Sequence, residues 1–165
     1  MPAYLGSEGV MLNAALEIQN DGAVLEKLIK RTISTYENPY LSEVGDYAFA
    51  YCRSLTSVNL PQATSIGKAA FYGCTSLASI DLPLITTIVS YAFRNCYNLL
   101  SLYLLGNSIP ILTSINAFYL TPISTYTTST GGIYGSIYVP ASLYSSYLTA
   151  TNWSIYSSRI VSIGD

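Results

Sequence analysis

The sequence predicts an α/β repeat solenoid of stacked 22-residue coils, with a parallel sheet on its concave face and helical caps at both ends. Three observations carry this. Phe49, Phe71 and Phe93 recur at an interval of 22, as do Cys52, Cys74 and Cys96. Leu55, Leu77 and Leu99 keep the same interval, followed by Val58, Ile80 and Leu102 and then by Leu60, Leu82 and Leu104. The alternation in Ser57-Val58-Asn59-Leu60-Pro61 is that of a short strand with Val58 and Leu60 facing inward. One strand and one turn cannot bury an apolar face alone, so neighbouring coils must share a core. Their strands then lie side by side at about 4.8 Å.

The elements follow in order. Residues 1–27 are an N-terminal extension and the start of a capping helix. Asn20-Asp21-Gly22 opens that helix, which runs to about Arg31 with Asp21 as N-cap and Leu25, Leu28 and Ile29 on one face. Residues 1–19 receive no assigned place. The solenoid occupies 28–140. Its first repeat is degenerate: Ile33, Tyr36 and Pro39 fall on Leu55, Val58 and Pro61, and Val44-Gly45 falls on Ile66-Gly67. Between strands, Lys68-Ala69-Ala70-Phe71 lacks alternation and is rich in Ala, which suits a single helical turn. Ala117-Phe118 returns after 25 residues rather than 22, so the fourth coil holds an insertion, and a Thr-, Ser-, Tyr- and Gly-rich insertion at 119–135 then interrupts the solenoid. Ser136-Ile137-Tyr138-Val139-Pro140 matches Ser57 to Pro61 and is the last strand expected. Residues 141–165 form a C-terminal cap, with a helix around 141–150 whose Leu143, Tyr147 and Leu148 cover the last coil, followed by Trp153.

A period of 22 lies inside the roughly 20–29 residue range of leucine-rich repeats. The block Ala-Phe-x-x-Cys-x-x-Leu-x-x-(Val/Ile/Leu)-x-Leu, usually followed by Pro, occurs in full at Phe49, Phe71 and Phe93. In this block the chain resembles the BspA-like leucine-rich repeats of bacterial surface proteins and some phage-associated proteins, over about residues 28–165. Two positions depart from the pattern: Val89 stands where the earlier coil has Gly67, and Leu105 where the others have Pro61 and Pro83. The resemblance implies adhesion or recognition without chemistry, in an extracellular or cell-surface setting. A parallel β-helix with coils of this length is the alternative architecture.

Composition narrows the function. The chain has 165 residues, enough for one core. Only 10% of them are charged, against roughly 25% in ordinary soluble domains. Ser (22), Thr (15) and Tyr (16) take their place. A net charge of −2 gives no footprint for nucleic acid or an anionic membrane. The first basic residue is Lys27 and no run of 18 apolar residues occurs, so neither a secretory signal nor membrane insertion is expected. His is absent, which removes the commonest general base and the commonest zinc ligand. Asp81 and Asp165 are the only acids after residue 50. A Ser or Cys nucleophile therefore lacks a histidine base and a carboxylate pair lacks a second member. The cysteine spacing fits no zinc motif, and equivalent positions in a translated stack point their Cβ atoms the same way, so three buried free thiols are expected. No enzyme activity, metal or cofactor is expected.

Binding is the remaining class. The outward middle position of successive strands reads Glu37, Asn59, Asp81, Tyr103 and Tyr138, changing from polar to aromatic. Tyr103 and Tyr138, with Asp81 at their edge, form the candidate site. Tyr126 and Tyr134 of the insertion are candidates to extend it. The expected partner is a protein or glycan. The alternative function is a structural spacer or assembly module of a larger bacterial surface or virion protein.

Overall fold

The computed structural model describes residues 3–5, 10–12, 32–124 and 134–164. Its strands are β1 (Ala3–Leu5), β2 (Val10–Leu12), β3 (Thr35–Glu37), β4 (Glu43–Val44), β5 (Ser57–Asn59), β6 (Ser65–Ile66), β7 (Ser79–Asp81), β8 (Thr87–Ile88), β9 (Ser101–Tyr103), β10 (Ile111–Leu112), β11 (Ser136–Pro140) and β12 (Ile160–Ile163). They form two sheets. The large one runs β12-β11-β9-β7-β5-β3-β1-β2 and the small one β10-β8-β6-β4. From β3 to β12 all neighbours in the large sheet are parallel, and the small sheet is parallel throughout.

The repeat alignment reappears as strand register. Thr35, Tyr36 and Glu37 face Ser57, Val58 and Asn59, while Ser79, Ile80 and Asp81 face Ser101, Leu102 and Tyr103. Ser101, Leu102 and Tyr103 in turn face Ser136, Ile137 and Tyr138, so the last expected strand stays in register despite the broken count. The central residue of β3, β5, β7 and β9 is buried and points into the core.

Each coil has three sides: a large-sheet strand, a small-sheet strand and a turn. The small sheet was not expected, because a two-residue strand is too short to show alternation. The turn is not the expected helical turn either. Tyr47, Ala69 and Tyr91 have φ of 58°, 53° and 61°, and Tyr51, Gly73 and Asn95 have φ of 64°, 71° and 63°. A left-handed residue at each end of the segment breaks the helix and turns alternate N–H groups sideways. Ala69, Phe71 and Gly73 donate to Ser90, Ala92 and Arg94 of the next coil at 3.1, 2.8 and 2.8 Å. Ala70, Tyr72 and Cys74 close instead on carbonyls three residues back, those of Gly67, Ala69 and Phe71. The third side is therefore laddered by backbone as well.

The core runs along the stack. Phe49, Phe71, Phe93 and Phe118 lie face to face at 5.1, 5.2 and 5.5 Å. Tyr36 meets one end edge-on, and Tyr156 and Trp153 close the other. The Thr content has a structural use here. Thr56, Thr64 and Thr86 hydroxyls donate to the carbonyls of Ser34, Ser42 and Thr64 in the preceding coil, at 3.0, 3.0 and 2.9 Å.

The C-terminal cap differs from the expected helix over 141–150. A 3-10 turn (Ala141–Leu143) and one α-helical turn (Tyr144–Tyr147) are followed by a 3-10 helix (Ser154–Arg159) and then by β12, which extends the large sheet. Tyr147 and Trp153 are buried, whereas Leu143 and Leu148 are only partly so. The cap also covers the edge of the small sheet beyond β10. Trp153 Nε1 donates to the Pro110 carbonyl at 2.8 Å and Asn152 Nδ2 to that of Leu112 at 2.7 Å. The Tyr156 hydroxyl donates to the Ile115 carbonyl. Side-chain donors thus occupy an edge that another strand would otherwise pair with.

At the other end, β1 and β2 pair antiparallel with each other and β1 with β3, giving a place to residues that the sequence left unassigned. The helix expected from Asn20 to Arg31 lies outside the described residues. Among the described residues no helix is long and apolar enough to cross a membrane.

Candidate recognition surface

The outer face of the large sheet brings the expected middle row together. Register aligns Glu37, Asn59, Asp81, Tyr103 and Tyr138 on five adjacent strands. At the N-terminal end the row is polar and internally bonded: Asn59 Nδ2 donates to Glu37 Oε1 at 2.9 Å. Partial burial pushes the Asp81 carboxyl above its ordinary range, and the Leu82 backbone N–H offsets part of that rise. Beyond Asp81 the row becomes aromatic. Tyr103 and Tyr138 stack at 4.7 Å, with ring planes 13° apart.

The structure adds two residues that the sequence reading missed. β12 places Val161, which is exposed, beside Tyr138. Arg159, immediately before β12, lays its guanidinium 3.9 Å from the ring centre of Tyr134. Tyr134 is exposed and enters β11 two residues before Ser136, so the Arg159–Tyr134 pair sits at the strand-entry edge of the Tyr103–Tyr138 patch. Both additions follow from β12. The β-branched run Ile160-Val161-Ser162-Ile163 was the available signal for a strand, and the reading absorbed it into the cap. Tyr126 lies outside the described residues.

Nothing in this row resembles a reaction centre. Cys52, Cys74 and Cys96 are buried and unbridged. The thiols of Cys74 and Cys96 donate to the carbonyls of Phe49 and Phe71 at 3.1 and 3.0 Å. Hydrogen bonding to the neighbouring Cys96 thiol, and then burial, push the Cys74 thiol far above its ordinary range, which is the opposite of activation. Among the described residues no three His, Cys, Asp or Glu side chains gather as a metal site would require.

Residues 31–157 match the family described as the BspA type leucine rich repeat region, in six copies. The chain belongs to this family. No curated protein matches it. Membership assigns the two laddered sheets to a leucine-rich repeat solenoid and not to the alternative parallel β-helix. The matched BspA-type copies run through the insertion and past Pro140, so they span every strand from β3 to β11. Leucine-rich repeats of this kind are in general non-enzymatic scaffolds for protein interaction. The outer face of the large sheet is thus a candidate recognition surface.

Proposed function

We propose that this BspA-type repeat protein is a recognition module that takes a protein or glycan partner on the outer face of its large sheet. The contact centres on Tyr103 and Tyr138, with Asp81 at one edge and Val161 and the Arg159–Tyr134 pair at the other. The observation that carries this reading is the stacked tyrosine pair on adjacent strands. Two rings held against each other offer broad amphipathic area with little side-chain entropy left to lose. The polar end of the row, where Asn59 already bonds Glu37, has less to gain from a partner. Repeats of this family are typically surface-associated, which suits adhesion.

The test is an array of host and bacterial surface proteins and glycans, followed by titration of any hit. Tyr103→Ala together with Tyr138→Ala should weaken a hit by at least about 2 kcal/mol, the usual hot-spot threshold. Unchanged affinity removes the tyrosine pair from the site. Loss on mutating Tyr126, with the tyrosine pair dispensable, moves the site to the insertion. An array without hits favours the spacer role.

A further inference from the structure

The third side of the coils carries a second surface, remote in chemistry from the sheet face. Tyr72, Arg94 and Tyr119 occupy one outward position in three successive coils. Their carbonyls accept the N–H groups of Tyr51, Gly73 and Asn95 in the preceding coil at 2.6, 2.8 and 2.9 Å, which fixes the three side by side. The Arg94 guanidinium lies 4.9 Å from the ring centre of Tyr119 and 5.3 Å from that of Tyr91. Asn95 Nδ2 donates to the Tyr72 hydroxyl at 3.1 Å, and Tyr51 meets Tyr72 edge-on at 5.1 Å. Tyr51 and Tyr97 at the margins are 52% and 49% exposed. This is a ridge of aromatic rings with one cation in its middle.

That cation has no carboxylate partner among the described residues. Its Nε is buried without a hydrogen-bond partner, so the donors left for a ligand are the outer Nη groups. The described acids lie elsewhere: Glu37 and Asp81 are on the large sheet and Glu43 is on β4. Asp46 is on the turn, and its Oδ1 accepts the Lys68 backbone N–H at 2.6 Å. A guanidinium held beside two rings presents the fork that a carboxylate takes in two parallel hydrogen bonds.

We propose that this ridge binds a glycan chain carrying an isolated carboxylate, of the sialic or uronic acid type. Ring faces accept the apolar C–H face of a sugar, while the tyrosine hydroxyls match its hydroxyls. Arg94 takes the carboxylate. The overall charge of −2 disfavours a densely charged polymer, so one acidic group among neutral hydroxyls fits better than a nucleic acid backbone.

The experiment is calorimetric titration of the full chain with 3′-sialyllactose and a trisaccharide bearing a single glucuronic acid, against lactose and a neutral trisaccharide. The acidic sugars should bind at least about tenfold tighter, the range of a hydrogen bond to a charged group. Arg94→Gln should abolish that preference. Arg94→Lys, which keeps the charge and loses the fork, should reduce it, and both variants should unfold at the wild-type temperature. The double variant Tyr103→Ala, Tyr138→Ala should leave it unchanged, which separates this site from the sheet face. Equal affinity for acidic and neutral sugars, binding of neither, or full preference in both Arg94 variants overturns the proposal. So does a single-stranded oligonucleotide that binds more tightly than the acidic sugars.

Discussion

Phe93 and Phe118 lie 5.5 Å apart with planes 6° from parallel, although 25 residues separate them where 22 separate Phe71 from Phe93. The spacing of the stack is set by the laddered backbone and not by the length of the coil. Extra residues are pushed outward, and the core continues. The stack therefore behaves as one body, and within it Phe71 is fully buried between Phe49 and Phe93. Phe71→Ala should cost about 3–5 kcal/mol, the usual penalty for emptying a core aromatic site. Urea unfolding of the variant measures it, and a loss below about 1 kcal/mol would place Phe71 in the range of surface substitutions.

The left-handed turn positions make opposite predictions for two small residues in one coil. Gly73 has φ +71°, and a Cβ there would stand 3.0 Å from Cδ1 of Tyr51. Gly73→Ala should therefore destabilise by at least about 1 kcal/mol, since a Cβ at left-handed φ costs about 1–2. Ala69 already bears that cost, with φ 53°. Ala69→Gly removes it but frees the unfolded chain, which takes back about 0.4–1 kcal/mol. The net result should lie between neutral and a gain of about 1 kcal/mol. Thermal unfolding of the two variants side by side decides it: Gly73→Ala should melt lower than wild type, and Ala69→Gly should not.

These positions also mark where sequence reading reached its limit. The coils of Phe49, Phe71 and Phe93 each place a Phe, a Cys and three aliphatic residues at fixed offsets, because each must fill the same volume against its neighbour. That demand is visible in the chain, and it yielded the large-sheet register down to Tyr103 facing Tyr138. Backbone conformation leaves a weaker trace. Tyr47, Ala69 and Tyr91 share a left-handed φ although none is Gly, Asn or Asp, since the lateral ladder imposes it from outside. The small sheet is hidden for a similar reason: Glu43-Val44 and Thr87-Ile88 are too short for a pattern. β12 was concealed by its separation from the repeat, and with it the part of the candidate site formed by Val161 and Arg159. The Arg94 ridge leaves no repeat signature, because its outward position changes from Tyr72 to Arg94 to Tyr119 from coil to coil.

The thiols offer a chemical check on the core. Cys74 is fully buried, its proton is directed at the Phe49 carbonyl, and its acidity is suppressed by Cys96 and by burial. Thiolate is the reactive form, so native Cys74 should be inert to iodoacetamide at pH 8. After unfolding without reductant, all three thiols should titrate. Recovery of one thiol instead of three would reveal a disulfide, contrary to the unbridged stack.

Asp81 links stability to pH and bears on the binding face. Its carboxyl is raised by partial burial, whereas in the unfolded chain it titrates in the ordinary range. The folded state thus holds the proton more tightly. The resulting stabilisation is complete below the unfolded pKa, about 3.9, and is lost as pH rises through the raised folded value. At neutral pH the ionised carboxylate opposes folding, so Asp81→Asn should raise the unfolding midpoint slightly, by an amount that solvent screening keeps small. The difference from wild type should disappear near pH 3, and a midpoint lowered at pH 7 contradicts the assignment. The same reasoning extends to a partner seated on Tyr103, the neighbour of Asp81 across the strands. Covering the carboxylate removes more of its water, so Asp81→Asn should tighten an uncharged partner. A partner that brings its own cation should instead be weakened, and titration of the variant at pH 7 tells the two apart.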